Sequence, residues 1–258
     1  MSKILSIANK KGGVGKSTSA INIAAILAEK FNVLLIDMDS QGNTTTGLGV
    51  DKNHLKYSIT DVLYKRCKIQ DAIIPTGFGN LLLLPSDESL EEINSSDVSV
   101  NTLKELITPL LTMKRNPMDY IIIDCPPDLG RLTISSLIAT QKVAIPVRPS
   151  QFSMEGLMQL IATVGIVQEK YNPSLEVLGI YFNDVQPRTN LYKLLSSDLI
   201  ATYGRNMVFE NYIPKNIRLE ESQTAGEPII VYEPSGPACE SFMSLTEEIL
   251  KRWQRKVS

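Results

Sequence analysis

The 258-residue sequence is poor in the residues that most metal and redox chemistry needs. It has one histidine, His54, three cysteines and one tryptophan. A lone histidine in a polar stretch argues against a zinc site and against a His-based triad. Cys67, Cys125 and Cys239 are odd in number and widely spaced. That is the pattern of free thiols in a reducing, cytoplasmic setting, not of a disulfide framework. No run of about 18 apolar residues exists, so no transmembrane helix is expected. The apolar run after Met1 is too short for a signal peptide. The net charge of −2 gives no bulk reason to bind nucleic acid, so any DNA contact must come from a local patch.

What is present is ordinary for a globular chain: 43% apolar and 21% charged residues. The length suits one large α/β domain with a well-buried core, and a single domain over 1–258 is expected. Apolar runs alternate with helix-period segments. The pattern predicts strands at 3–8, 33–37, 80–84, 119–124, 142–147 and 176–183. It predicts helices at 17–30, 59–66, 89–94, 98–113, 131–140, 153–171, 189–203 and 238–254. Such alternation indicates a doubly wound α/β fold, a mostly parallel sheet with helices on both faces. Runs such as Val33-Leu34-Leu35-Ile36 and Ile121-Ile122-Ile123 read as strands buried on both sides. The first predicted strand begins almost at Met1, so no N-terminal DNA-reading domain is expected.

Between the first strand and the first helix lies Lys10-Lys11-Gly12-Gly13-Val14-Gly15-Lys16-Ser17-Thr18. Strand, glycine-rich loop and helix, in that order, are the setting of a phosphate loop. The glycines let backbone N–H groups turn inward around phosphate oxygens, and the helix N-terminus adds partial positive charge. Lys16 is suited to the β- and γ-phosphates, and the Ser17 hydroxyl to Mg²⁺. The usual phosphate-loop spacing would put glycine where Lys10 stands. A second lysine, Lys11, is more positive charge than one triphosphate site needs. Two strands then end in carboxylates. Asp37 and Asp39 follow the second strand, and close carboxylates repel unless a cation is near. Asp124 follows Tyr120-Ile121-Ile122-Ile123, where a buried carboxylate without a cation would be costly.

Lys11-Gly12-Gly13-Val14-Gly15-Lys16-Ser17 resembles the deviant Walker A motif of the ParA/MinD family of dimeric ATPases. The resemblance covers nearly the entire chain. It implies ATP and Mg²⁺ as ligands, with Lys11, Gly12, Gly13, Val14, Gly15, Lys16, Ser17 and Thr18 in the nucleotide site. It makes Lys11 the signature lysine, which crosses a dimer interface to the partner's nucleotide. Asp39 becomes the residue that positions the attacking water, and Asp37 a structural or Mg²⁺-shell carboxylate. Asp124 becomes the Walker B carboxylate on Mg²⁺, as Asp124-Cys125-Pro126-Pro127 matches the family closely. Ser40 stands where the family usually has proline, and Asp128 where it has a small residue. Cys125 evokes the iron–sulfur relatives but lacks a suitably placed second cysteine.

The same resemblance places Asn183 and the loop Ile213-Pro214-Lys215-Asn216 around the adenine. It assigns Arg188, Lys215 and Arg218 to non-specific DNA binding. The implied function is DNA segregation: an ATP-bound homodimer coats DNA and is released when a ParB-like centromere-binding partner triggers hydrolysis. A cytoplasmic, nucleoid-associated protein without stable membrane association is expected. The alternative is a MinD-like membrane-associated positioning ATPase, for which the tail Lys251, Arg252, Trp253, Arg255 and Lys256 would supply the anchor. A last helix docked on the sheet is the preferred reading of that tail.

Overall fold

The apolar runs become the strands of one sheet in the computed structural model, which describes residues 2–114, 116–150 and 153–254. Among these residues the strands are β1 (Lys3–Ile7), β2 (Val33–Asp37), β3 (Ile74–Pro75), β4 (Leu81–Leu84), β5 (Tyr120–Asp124), β6 (Lys142–Val147) and β7 (Glu176–Phe182). Their order across the sheet is β3-β4-β2-β5-β1-β6-β7. All pairings are parallel except β3 with β4. The helices are α1 (Lys16–Ala28), α2 (Asn43–Gly47), α3 (Ile59–Leu63), α4 (Ile69–Ala72), α5 (Thr102–Ile107), α6 (Arg131–Ala139), α7 (Ser153–Lys170), α8 (Asn190–Tyr203), α9 (Ile217–Ala225), α10 (Ile229–Tyr232) and α11 (Pro237–Gln254).

Successive strand residues point to opposite faces, and both faces are covered. Leu34 and Ile36 of β2 join Ile121 and Ile123 of β5 in a core shared with Leu137 of α6, Leu160 of α7 and Leu199 of α8. Val33 and Leu35 join Tyr120 and Ile122 in a second core, with Ile23 of α1 and Phe242 of α11. The expected doubly wound α/β fold is therefore present. Because the main strands run parallel, their carboxyl ends share one edge of the sheet, where ligands bind in such folds.

Several helices differ from the sequence expectation. The segment at 89–94 is a 3₁₀ helix spanning Glu88–Ser95. The helix expected at 98–113 is α5 followed by a 3₁₀ turn over Thr108–Leu111, because Pro109 at its start cannot continue the α-helical hydrogen bonds. The last helix is docked along its length. Arg252 bonds Glu248 and the carbonyls of Asn206 and Val208, and its guanidinium lies 4.0 Å from the Phe209 ring centroid. Trp253 packs against the second core. Arg255 and Lys256 lie outside the described residues. No helix among the described residues is long and apolar enough to cross a membrane.

Candidate functional site

The loop after β1 wraps into α1 as the glycine spacing requires. Gly15 is the N-cap of α1 with φ 85°, a backbone region that L side chains rarely adopt. A Cβ on Gly15 would come within 1.7 Å of the Asn183 amide nitrogen. The loop is fastened from outside. Asn183 Nδ2 donates to the Val14 carbonyl at 2.8 Å, and Arg148 donates to the Gly13 carbonyl at 3.2 Å. Asn9 Oδ1 accepts the Lys11 N–H at 3.0 Å. Holding these carbonyls outward leaves the amides free to face an anion.

The two lysines diverge. Lys16 is 6% exposed and donates to the Lys11 carbonyl at 3.2 Å. Burial pulls its pKa down, and Asp124 and Asp39 hold it up. It lines a cavity of about 540 Å³ together with Gly12, Gly13, Gly15, Ser17, Thr18 and Asp39. Lys11 instead donates to Ser150 Oγ at 3.1 Å and lines a neighbouring cavity of about 390 Å³ with Arg148 and Lys215. A third space, lined by Gly15, Thr18, Asn183 and Pro214, extends from the phosphate loop. Pro214 reaches it through a parallel bridge with Val185.

The three carboxylates separate by what they touch. Asp39 lines the large cavity, and its Oδ1 accepts the Gln41 N–H at 3.0 Å. Asp124 is fully buried; Oδ2 accepts the Thr44 hydroxyl at 2.7 Å, while Oδ1 is buried with no hydrogen-bond partner among the described residues. An orphaned carboxylate oxygen beside Ser17 and Lys16 fits a bound cation. Of the two roles expected of Asp37, structural or Mg²⁺-shell, its hydrogen bonds match the structural one. Its oxygens accept the Asp39 N–H at 3.1 Å, the Thr45 N–H at 2.8 Å and the Thr45 hydroxyl at 2.7 Å. These three bonds tie it to the acidic turn and to α2, and it does not line the cavity that Asp39 lines.

Of the three basic residues assigned to DNA, Arg188 and Lys215 lie on adjacent loops, joined where the Lys215 N–H donates to the Val185 carbonyl at 2.9 Å, and Arg218 lies in the first turn of α9. Arg188 and Lys215 are exposed. Arg218 is exposed but pairs with Glu221 at 2.7 Å and Glu233 at 3.5 Å, so its charge is shared with two carboxylates.

Comparison with known proteins agrees with this geometry. The profile of a family described as an AAA domain matches residues 2–177. The sporulation initiation inhibitor protein Soj of Bacillus subtilis (strain 168) is 38% identical over 250 residues, spanning 96% of this chain and 98% of that protein. The chromosome partitioning protein ParA of Myxococcus xanthus is 37% identical over 255 residues, spanning 97% and 88%. The chain belongs to the ParA/Soj family of P-loop ATPases. Among solved structures, cobyrinic acid a,c-diamide synthase from Mycobacterium smegmatis with bound ADP and magnesium superposes with a TM-score of 0.85 at 28% identity, covering 98% of this chain and 96% of that one. The cell division ATPase MinD of Pyrococcus furiosus does so at 0.79 and 27%, covering 97% and 99%.

Within that family frame, some residues at the site carried no motif signal. Thr44 and Thr45 hold the buried carboxylates; their only mark in the sequence is the threonine run directly after the acidic turn. Arg148 follows β6 at the same sheet edge and pairs with Asp184, a non-glycine residue at φ 57°. Gln223 of α9 donates to Thr18 Oγ1 at 3.0 Å. Asp128 accepts the Gly130 N–H at 2.7 Å at the start of α6, a turn-forming role. Burial pushes the Cys125 thiol up to about 12, and no group of three or more metal-binding side chains gathers among the described residues.

Proposed function

We propose that this protein is an ATP-dependent DNA partition ATPase, one unit over 1–258, that acts as an ATP-bound homodimer. The observation that carries the reading is the divergence of its two loop lysines. Lys16 serves its own phosphate cavity. Lys11 leaves that cavity to its neighbour, donating to Ser150 and lining the adjoining space with Arg148 and Lys215, and in this reading it serves a second subunit. In this reading Lys16 and the loop amides bind the β- and γ-phosphates of ATP, and Lys11 neutralises charge developing on the partner's nucleotide. Asp39 orients the attacking water. Ser17 and Asp124 hold Mg²⁺, which supplies charge neutralisation at the phosphates. The bound ADP and magnesium of the similarly folded synthase support that ligand pair. Asn183 and Pro214 flank the base; Asn183 must then trade its Val14 bond or share it.

The dimer binds DNA without sequence preference through Arg188, Lys215 and, more weakly, Arg218. A ParB-like partner stimulates hydrolysis and releases it. Nucleoid association in the cytoplasm follows from that cycle. The name of the chromosome partitioning relative ParA supports partition as the biological role. The membrane alternative draws no support from Arg252 and Trp253, which are docked on the sheet. Co-sedimentation with DNA and with anionic liposomes tests the reading, in ATP, ADP and no nucleotide. Pelleting with DNA in ATP alone is expected. Pelleting with liposomes and not with DNA would overturn it in favour of the MinD-like alternative.

A further inference from the structure

Thr45 and Ser86 belong to no motif described above, and neither lines the phosphate cavity. Both are fully buried. A buried hydroxyl is costly unless it is bonded, and these two are bonded to each other's chain and to the acidic turn.

Ser86 lies two residues beyond β4. Its N–H donates to Thr45 Oγ1 at 3.0 Å. An amide N–H can only donate, so Thr45 Oγ1 accepts there, and its own proton goes to Asp37 Oδ2 at 2.7 Å. Asp37 Oδ2 also accepts the Thr45 N–H, while Oδ1 accepts the Asp39 N–H at 3.1 Å. The Ser86 hydroxyl closes the circuit by donating to the Asp39 carbonyl. Asp39 is thereby held at both its N–H and its C=O, by groups rooted in β2, α2 and the end of β4. Only its side chain is left to face the cavity.

α2 connects this circuit to the cavity. Asn43, Thr46 and Gly47 share one helical face and line the cavity, whereas Thr44 and Thr45 face the other way, onto Asp124 and Asp37. One short helix thus touches the ligand space on one side and fixes both buried carboxylates on the other.

We propose that Thr45 and Ser86 are positioning residues for Asp39: through Asp37 and through the Asp39 carbonyl they fix the carboxylate that orients the attacking water. The inference rests on the ATPase reading above. Positioning matters steeply, since a misplacement of about 1 Å can cost about 10²-fold in rate.

The test is single-turnover phosphate release from ATP, with nucleotide affinity measured separately. Ser86→Ala should lower the rate at least about tenfold, and Thr45→Val about 10²-fold. Affinity for ATP should stay within about twofold, because no phosphate contact is lost. Ser86→Thr and Thr45→Ser keep the hydroxyls and should restore most of the rate. In the nucleotide-free protein, the amides of 38–42 should exchange with deuterium faster in Ser86→Ala while the rest of the sheet is unchanged. Wild-type rates in both Ser86→Ala and Thr45→Val would overturn the proposal. So would a joint loss of rate, affinity and global protection without rescue by the hydroxyl-bearing variants, which marks a merely structural role. A wild-type protein that binds ATP yet releases no phosphate would instead sink the ATPase reading itself, and the positioning role with it.

Discussion

Asp37 and Asp124 stand opposite each other in register on β2 and β5, and neither carboxyl reaches solvent. Burial first, and the neighbouring Asp124 next, push the Asp37 carboxyl up to about 7. Burial likewise pushes Asp124 up to about 6, against the pull of the Ser17 and Thr44 hydroxyls and of Lys16. The pair is a store of unfavourable charge that a cation at Asp124 would relieve.

That arrangement predicts a pH dependence with a defined sign. The unfolded chain ionises both groups near pH 4. Between about pH 4 and 7 the native state binds more protons than the unfolded state, so stability falls as pH rises. Asp87 and Glu248 are held below the usual carboxylate range by hydrogen bonds that outweigh their burial. Their opposite contribution is lost only below about pH 5. Thermal unfolding in EDTA should therefore show Tm declining from about pH 5 to 7. In excess Mg²⁺ the decline should shrink. A flat profile in EDTA would mean that the buried pair is not strained.

The two loop lysines should fail differently when replaced. Lys16→Ala removes the buried cation of the phosphate cavity, and affinity in a fluorescent-nucleotide titration should fall by about 10- to 100-fold. Lys11→Ala leaves that cavity intact. It should bind ATP normally, remain monomeric by light scattering and show no hydrolysis. A Lys11→Ala dimer with normal turnover would reduce Lys11 to a surface residue.

Arg252 should matter for folding and not for DNA. From within the docked helix it bonds Glu248 and the carbonyls of Asn206 and Val208, in the segment that bridges to β7. Glu248 keeps the N–H groups of Glu210 and Asn211, but the two carbonyls lose their donor, so Arg252→Ala should cost about 1–3 kcal/mol in chemical denaturation. Loss of DNA binding at unchanged stability would instead point to the tail as the DNA contact.

The strand ends were legible because buried parallel strands are continuous apolar runs, and each run stops at a chemical residue: Asp37, Asp124, Asn183. What could not be read was anything held by side chains instead of by period. β3 is Ile74–Pro75, too short to show alternation. α2 is Asn-Thr-Thr-Thr-Gly, a poor helix former, which is helical because Thr44 and Thr45 are anchored on Asp124 and Asp37. α9 is strongly polar and is delimited by caps, Asn216 at its start and left-handed Gly226 at its end. The same limit applies at the site. Two aspartates one residue apart look equivalent in sequence, and only their hydrogen bonds separate Asp37, behind the cavity, from Asp39, inside it.

The basic patch gives the most discriminating prediction, because its three residues no longer look alike. Lys215 is exposed and lines the cavity beside Lys11, and Arg188 is exposed on the adjoining loop. Arg218 shares its charge with Glu221 and Glu233, and those pairs raise its pKa further. A phosphate would have to compete with both carboxylates for Arg218, and with neither for Lys215. Dimerisation doubles every contact on one rigid body, so affinity for DNA should rise steeply with ATP. Losing one phosphate contact per protomer should lower the slope of log affinity against log salt by about 1.8. Fluorescence anisotropy with duplex DNA across a salt series reads both quantities. Lys215→Ala should weaken ATP-dependent binding about tenfold or more and flatten the slope, equally for any sequence. Arg218→Ala should cost less than about threefold and leave the slope nearly unchanged. Arg188→Ala with Lys215→Ala should abolish binding while ATP-dependent dimerisation persists by light scattering. If Arg218→Ala proves as damaging as Lys215→Ala at equal dimerisation, the carboxylates must release Arg218 when DNA binds. If the double variant still binds DNA with wild-type salt dependence, the patch is elsewhere on the dimer.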